Sequence, residues 1–276
     1  LILVLMVNAV FAWVIANLFI SYPASVIPVF IQIPLAVWIG YAAYKRNMKM
    51  LIPSLIALAI MYGTAIVSSQ VDFLQIDLVR YMGGEEGAGL FGLGAISSAF
   101  FIWIVVLMIY VYIASTLPVW KLLQPRDFIN SHQLIVGLAI LYLGLLFTNP
   151  EITAPATNPG ADVSWFPLLF ITIACGAISG FHSLVSSGTS AKQVRDERDS
   201  LFIGYGSMLM EGTLATLVVV AVAAGIGMGY TTKAGETLSG VAAWTTHYSS
   251  WAAAAGLGSK ISAFVDGSAN MIMSLG

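Results

Sequence analysis

Long apolar runs constrain this chain more than any other feature. A helix needs about 20 apolar residues to cross the hydrocarbon of a bilayer. Seven runs meet or approach that length, over residues 1–20, 26–44, 51–69, 96–119, 131–147, 165–187 and 202–230. No water reaches the bilayer core to satisfy backbone groups, so runs of this kind read as helices. Only 9% of the residues are charged and 59% are hydrophobic, against about 25% charged in soluble domains. The expected fold class is therefore all-α, a polytopic transmembrane helix bundle forming one transmembrane domain over 1–276. The chain starts at Leu1 inside an apolar run and ends at Met271–Gly276 in another weakly apolar stretch. It reads as an internal fragment of a larger membrane protein, truncated at both ends, with seven spans and a partial helical tail. In that tail, Ala242–Gly258 reads as a short, re-entrant or interfacial helix.

Charge placement fits this layout. If the loop with Lys45, Arg46 and Lys49 is cytoplasmic, alternation puts Lys121, Arg126, Lys192, Arg195 and Arg198 on the same side, eight of the eleven basic residues. This is the positive-inside pattern. The Gly-rich loop 70–94, with Asp72, Asp77, Glu85 and Glu86, then faces outward. The net charge of −2 gives nucleic acid no surface to bind. The single Cys175 excludes an internal disulfide and any Cys-rich metal site. No metal or cofactor motif is present: HExxH, the P-loop and a GxGxxG fingerprint in a βαβ context are all missing.

The sixth run, FPLLFITIACGAISGFHSLVSSGTS (166–190), combines membrane hydropathy with polar residues at helical steps. Thr172, Gly176, Ser179, His182, Ser183 and Ser186 recur every three or four residues, which places them on one face of a helix. Such a face is costly in hydrocarbon unless it meets other helices, water or a solute. Gly176 and Gly180 admit two readings. One is a small-xxx-small face for a neighbouring helix. The other is local unwinding, since each glycine weakens a helix by about 1 kcal/mol, and transporters place solutes at such interruptions. His182 lies well inside the run and is of the residue type that changes charge near neutral pH.

Glu211 lies about ten residues into the seventh run. A carboxylate at the bilayer centre costs about 2.5–3.5 kcal/mol, which calls for a partner or a functional pathway; the alternative is an interfacial position. Gly204, Met208, Glu211 and Ala215 share one helical face. Glu211 and His182 are the candidates for proton coupling. At the end of the fourth run, Ser115 and Pro118 are further candidates to line a solute path, because Pro118 lacks an N–H and crowds the preceding turn, freeing carbonyls near Ala114. Pro125, Arg126 and Asp127 read as a rigid cytoplasmic turn that caps or gates. A Ser179–His182 hydrolase is disfavoured, since both residues lie on one helix with no acidic group to orient the histidine.

Three strings, LPVWKLLQPRDFINS (117–131), FPLLFITIACGAISGFHSLVSSGTSAKQV (166–194) and FIGYGSMLMEG (202–212), resemble the carbon starvation protein A family. Phe128 stands where that family has Tyr, and Ser207 where it has Gly. The resemblance implies a multi-pass transporter of the bacterial inner membrane, used in carbon starvation, for peptides or for pyruvate taken up with protons. It also implies a fold like the amino-acid/polyamine/cation transporters, with inverted repeats, in a protein longer than this chain. The expected partners are the lipid bilayer, a small solute and protons, with no cofactor and no enzymatic chemistry. The rival expectation is a membrane sensor or assembly subunit whose polar stripe only packs helices.

Overall fold

A computed structural model describes residues 2–84, 87–157, 165–178, 180–232, 235–250, 254 and 256–275. The helices, in order, are α1 (Ile2–Ser21), α2 (Val26–Arg46), α3 (Leu51–Gln70), the single turn α4 (Leu78–Tyr81), α5 (Ala95–Thr116), α6 (Leu123–Thr148), α7 (Phe170–Ala177), α8 (Gly180–Gly188) and α9 (Asp199–Val220). A wide π-type turn, Ala221–Gly225, joins α9 to α10 (Ile226–Met228). A two-stranded antiparallel ribbon, β1 (Tyr230–Thr231) and β2 (Thr237–Leu238), precedes α11 (Gly240–His247) and α12 (Leu257–Met273). The architecture is all-α and polytopic: among the described residues six helices are long and apolar enough to cross a membrane, over Ile2–Ser21, Pro23–Arg46, Leu51–Gln70, Ala95–Thr116, Leu123–Thr148 and Asp199–Met228. The run expected at 165–187 is divided between α7 and α8 instead of forming one long helix.

Contacts divide the chain into two compact units, Leu1–Gly137 and Leu138–Gly276. In the first, α1 packs on α5 and α2 on α3. Ala12 and Ala16 of α1 are small enough to admit Phe19, Trp103 and Leu107 into one buried cluster, where the Phe19 and Trp103 rings meet edge to face at 4.9 Å, a favoured aromatic geometry. A second cluster joins Ala36, Ile39, Ala57, Met61, Leu122 and Ile129. Helix α2 stops at Asn47, which adopts φ 52°, the left-handed cap that ends many helices. Lys45 and Arg46 occupy its last turn, where positive charge meets the negative end of the helix dipole.

Two expectations are corrected in this unit. Helix α5 ends at Thr116, and Leu117 is extended with its N–H on the Ala114 carbonyl at 3.3 Å. Pro118 therefore lies beyond the helix and kinks nothing, and the Ala114 carbonyl is occupied. Pro125, Arg126 and Asp127 lie within the start of α6 instead of forming a separate turn. The connection packs tightly on α2: a Cβ on Gly40 would lie 2.6 Å from the Trp120 carbonyl oxygen.

The second unit is built on backbone approaches. Leu138, Leu141 and Leu217 form its buried apolar cluster. The π-type turn lies against α12, where a Cβ on Gly267 would sit 2.1 Å from the Ala221 carbonyl oxygen and one on Gly225 2.4 Å from the Gly267 oxygen. The Asn270 side-chain amide bridges the end of the π turn and the residue after α10, donating to Gly225 O at 2.9 Å and Gly229 O at 2.6 Å. The 202–230 run thus stays helical through Gly225-Ile226-Gly227-Met228 and breaks at Gly229. Large apolar side chains such as Leu146, Phe147, Leu201 and Phe202 point outward. A surface this apolar suits lipid, since soluble monomers rarely show such patches.

Candidate functional site

The polar stripe does not lie on one continuous helix. Ile178 leaves the helical region with φ −134° and ψ 40° after donating to Ala174 O at 2.9 Å, and α8 begins anew at Gly180. Thr172 and Gly176 consequently sit on α7, and His182, Ser183 and Ser186 on α8. Ser179 lies outside the described residues. Glycines at 176 and 180 flank the break, and their low helix propensity makes two short helices competitive with one long one.

Side-chain bonding separates these candidates. Thr172 donates back to Leu168 O at 2.9 Å and Ser186 to Ser183 O at 3.0 Å, so both hydroxyls serve their own turns. A Cβ on Gly176 would meet nothing within 4 Å, so among the described residues no helix packs there. His182 is different. Its Nε2 lies 3.9 Å from Oε2 of Glu211 on α9, with both side chains roughly half exposed. That is ion-pair range and too long for a direct hydrogen bond, a separation that one water can bridge. The helix break and the two titratable residues therefore come together in the second unit. On the shared α9 face, Gly204 is open, a Cβ there meeting nothing within 4 Å.

Ser115 and Pro118 belong to the first unit. The Ser115 hydroxyl donates to Tyr112 O at 2.8 Å. That unit holds a polar cluster absent from the sequence expectations. Arg126 donates through one terminal nitrogen to the Tyr110 hydroxyl at 2.8 Å and through Nε to Gln32 Oε1 at 3.4 Å, with its guanidinium 5.6 Å from the Tyr110 ring centre. The Gln32 amide, itself buried, donates to Asn130 Oδ1. A glutamine within the apolar 26–44 run was the available signal, because a buried amide in such a setting calls for partners.

The profile of the family described as carbon starvation protein CstA matches residues 1–266. The chain is 46% identical to the pyruvate/proton symporter BtsT of Escherichia coli over 119 residues, 41% of this chain and 17% of that protein. It is 33% identical to the peptide transporter CstA of Campylobacter jejuni over 79% of this chain and 30% of the relative. It is 34% identical to the peptide transporter CstA of Mycobacterium tuberculosis over 80% of this chain and 28% of the relative. The chain thus spans less than a third of the length of each of these relatives. No solved structure matches it. With nearly the whole chain covered by one family profile, the protein belongs to the carbon starvation protein CstA family.

Proposed function

We propose that this chain is part of a secondary active transporter in the bacterial inner membrane, which carries a small nutrient, a peptide or pyruvate, together with protons and is used in carbon starvation. The observation that carries this reading is the pairing of His182 with Glu211 beside the α7–α8 break. A broken membrane helix offers backbone groups to a solute, and an ionisable pair at the same place offers a proton site. In this reading Glu211 accepts a proton at Oε2. The ion pair to His182 is then lost, and α8 is released from α9. Proton entry on one side and exit on the other thereby shift the balance between two arrangements of the broken helix. No covalent bond is made or broken, so the role is not enzymatic. The relatives named as a pyruvate/proton symporter and as peptide transporters support both the solute class and the coupling.

The test uses the full-length protein in liposomes with an imposed pH gradient. Labelled pyruvate or labelled dialanine is expected to accumulate against its concentration gradient, and a protonophore is expected to abolish that accumulation. Absence of gradient-driven accumulation for both solutes rejects the proposal in favour of a membrane sensor or assembly subunit.

A further inference from the structure

The first unit contains a cavity of about 190 Å³ lined by α1, α2 and α5, with Arg126 of α6 also in its wall. Its walls are apolar, with Phe11, Ile15, Phe30 and Leu107 among them, and Asn8, Tyr110 and Arg126 supply the polar groups. Asn8 has no protein partner among the described residues, although it sits within an apolar span. Arg126 is partly buried, and its direct partners are neutral: a phenol, an amide oxygen and an aromatic ring. Asp127 lies within its electrostatic reach. It makes no ion pair with it, and it is exposed; adjacent residues on a helix do not face each other. Tyr110 lies six residues before the end of α5, about 9 Å along its axis, so the phenol that Arg126 reaches is set well inside the span.

A part-buried guanidinium that lines an apolar recess and forms no direct ion pair keeps capacity for a carboxylate. Its planar fork matches a carboxylate, and Asp127 acts on it without a direct ion pair. We infer that this cavity binds a small monocarboxylate, whose charged end pairs with Arg126 and accepts from the Asn8 amide while its short apolar body fills the recess. The volume sets the size, since pockets for drug-sized ligands run to roughly 300–1,000 Å³. Anionic lipid is the other source of a negative headgroup, but two acyl chains exceed this space. The inference rests on the first unit alone and stands or falls separately from the His182–Glu211 coupling.

The test is protection of wild-type, full-length protein, in nanodiscs of neutral lipid, from an arginine-specific dicarbonyl reagent, with modification of the Arg126 peptide read by mass spectrometry. Pyruvate is expected to slow Arg126 modification several-fold, whereas its uncharged methyl ester has no effect. In equilibrium binding of labelled pyruvate, Arg126→Gln is expected to lose about tenfold, the scale of one charge-assisted interaction, and Asn8→Leu a few-fold. Equal modification with and without pyruvate, or protection that appears only when phosphatidylglycerol replaces the neutral lipid, overturns the assignment.

Discussion

Replacing Gly267 with alanine isolates the contact on which the second unit depends. The new Cβ would stand 2.1 Å from the Ala221 carbonyl oxygen and 2.8 Å from its carbon. Both atoms are backbone, so no side chain can rotate away. Relief requires the π-type turn and α12 to part by about 1.4 Å, since contacts are comfortable near 3.5 Å. Overpacking of this kind costs about 1–3 kcal/mol, and backbone on backbone belongs at the upper end. Alanine returns about 1 kcal/mol in helix propensity, leaving a net loss of about 2 kcal/mol. Gly204→Ala is the matched control, because its Cβ meets nothing within 4 Å and it keeps the propensity gain. The two variants should differ by about 3 kcal/mol in opposite directions from wild type. Titration of the full-length protein with a denaturing detergent reads the difference. A double variant with Gly225→Ala should cost less than the sum of its parts, because one separation relieves both clashes. If Gly267→Ala is as stable as Gly204→Ala, the close approach is wrong.

Two further predictions concern the same unit. Asn270→Leu removes two hydrogen bonds from the carbonyls of Gly225 and Gly229 and should destabilise by about 1–3 kcal/mol, with faster amide exchange confined to Ala221–Tyr230 as the local signature. His247 lies on α11, outside the spans; burial holds its imidazole below the ordinary histidine range, and Asp266 offsets this only in part. A histidine with a depressed folded-state value adds stability that is complete above the unfolded value of about 6.5 and is lost as pH falls below it toward the folded value. Protection factors in α11, with the intrinsic pH dependence of amide exchange divided out, should therefore fall between pH 7.5 and pH 5, and His247→Gln should flatten that dependence.

The apolar runs located α1, α2, α3 and α5 to within a few residues, because a membrane span is set chiefly by length and hydropathy. They misplaced the start of α6. Leu123–Asn130 mixes polar and apolar residues and looks like a loop in hydropathy, yet it continues the helix, with Pro125 and Ile129 buried. The break at Ile178 was foreshadowed by Gly176 and Gly180, but the expected single face on 165–187 was not kept, since a face exists only where the helix does. The identities of His182 and Glu211 were legible from the cost of polar groups in hydrocarbon. Their meeting was not, because it depends on how α8 packs beside α9. The Arg126 cluster was hidden for the same reason: its bond to Gln32 crosses 94 residues, a separation no local pattern encodes.

In the proposed mechanism the carboxyl group of Glu211, paired with His182, couples proton movement to solute movement. Uptake by full-length Glu211→Gln in liposomes tests it most directly. The amide keeps the size of the side chain and removes its ability to gain and lose a proton. Normal insertion is expected, with a loss of pH-gradient-driven accumulation of at least tenfold and retention of downhill exchange of labelled solute. Wild-type accumulation with wild-type pH dependence in that variant would contradict it.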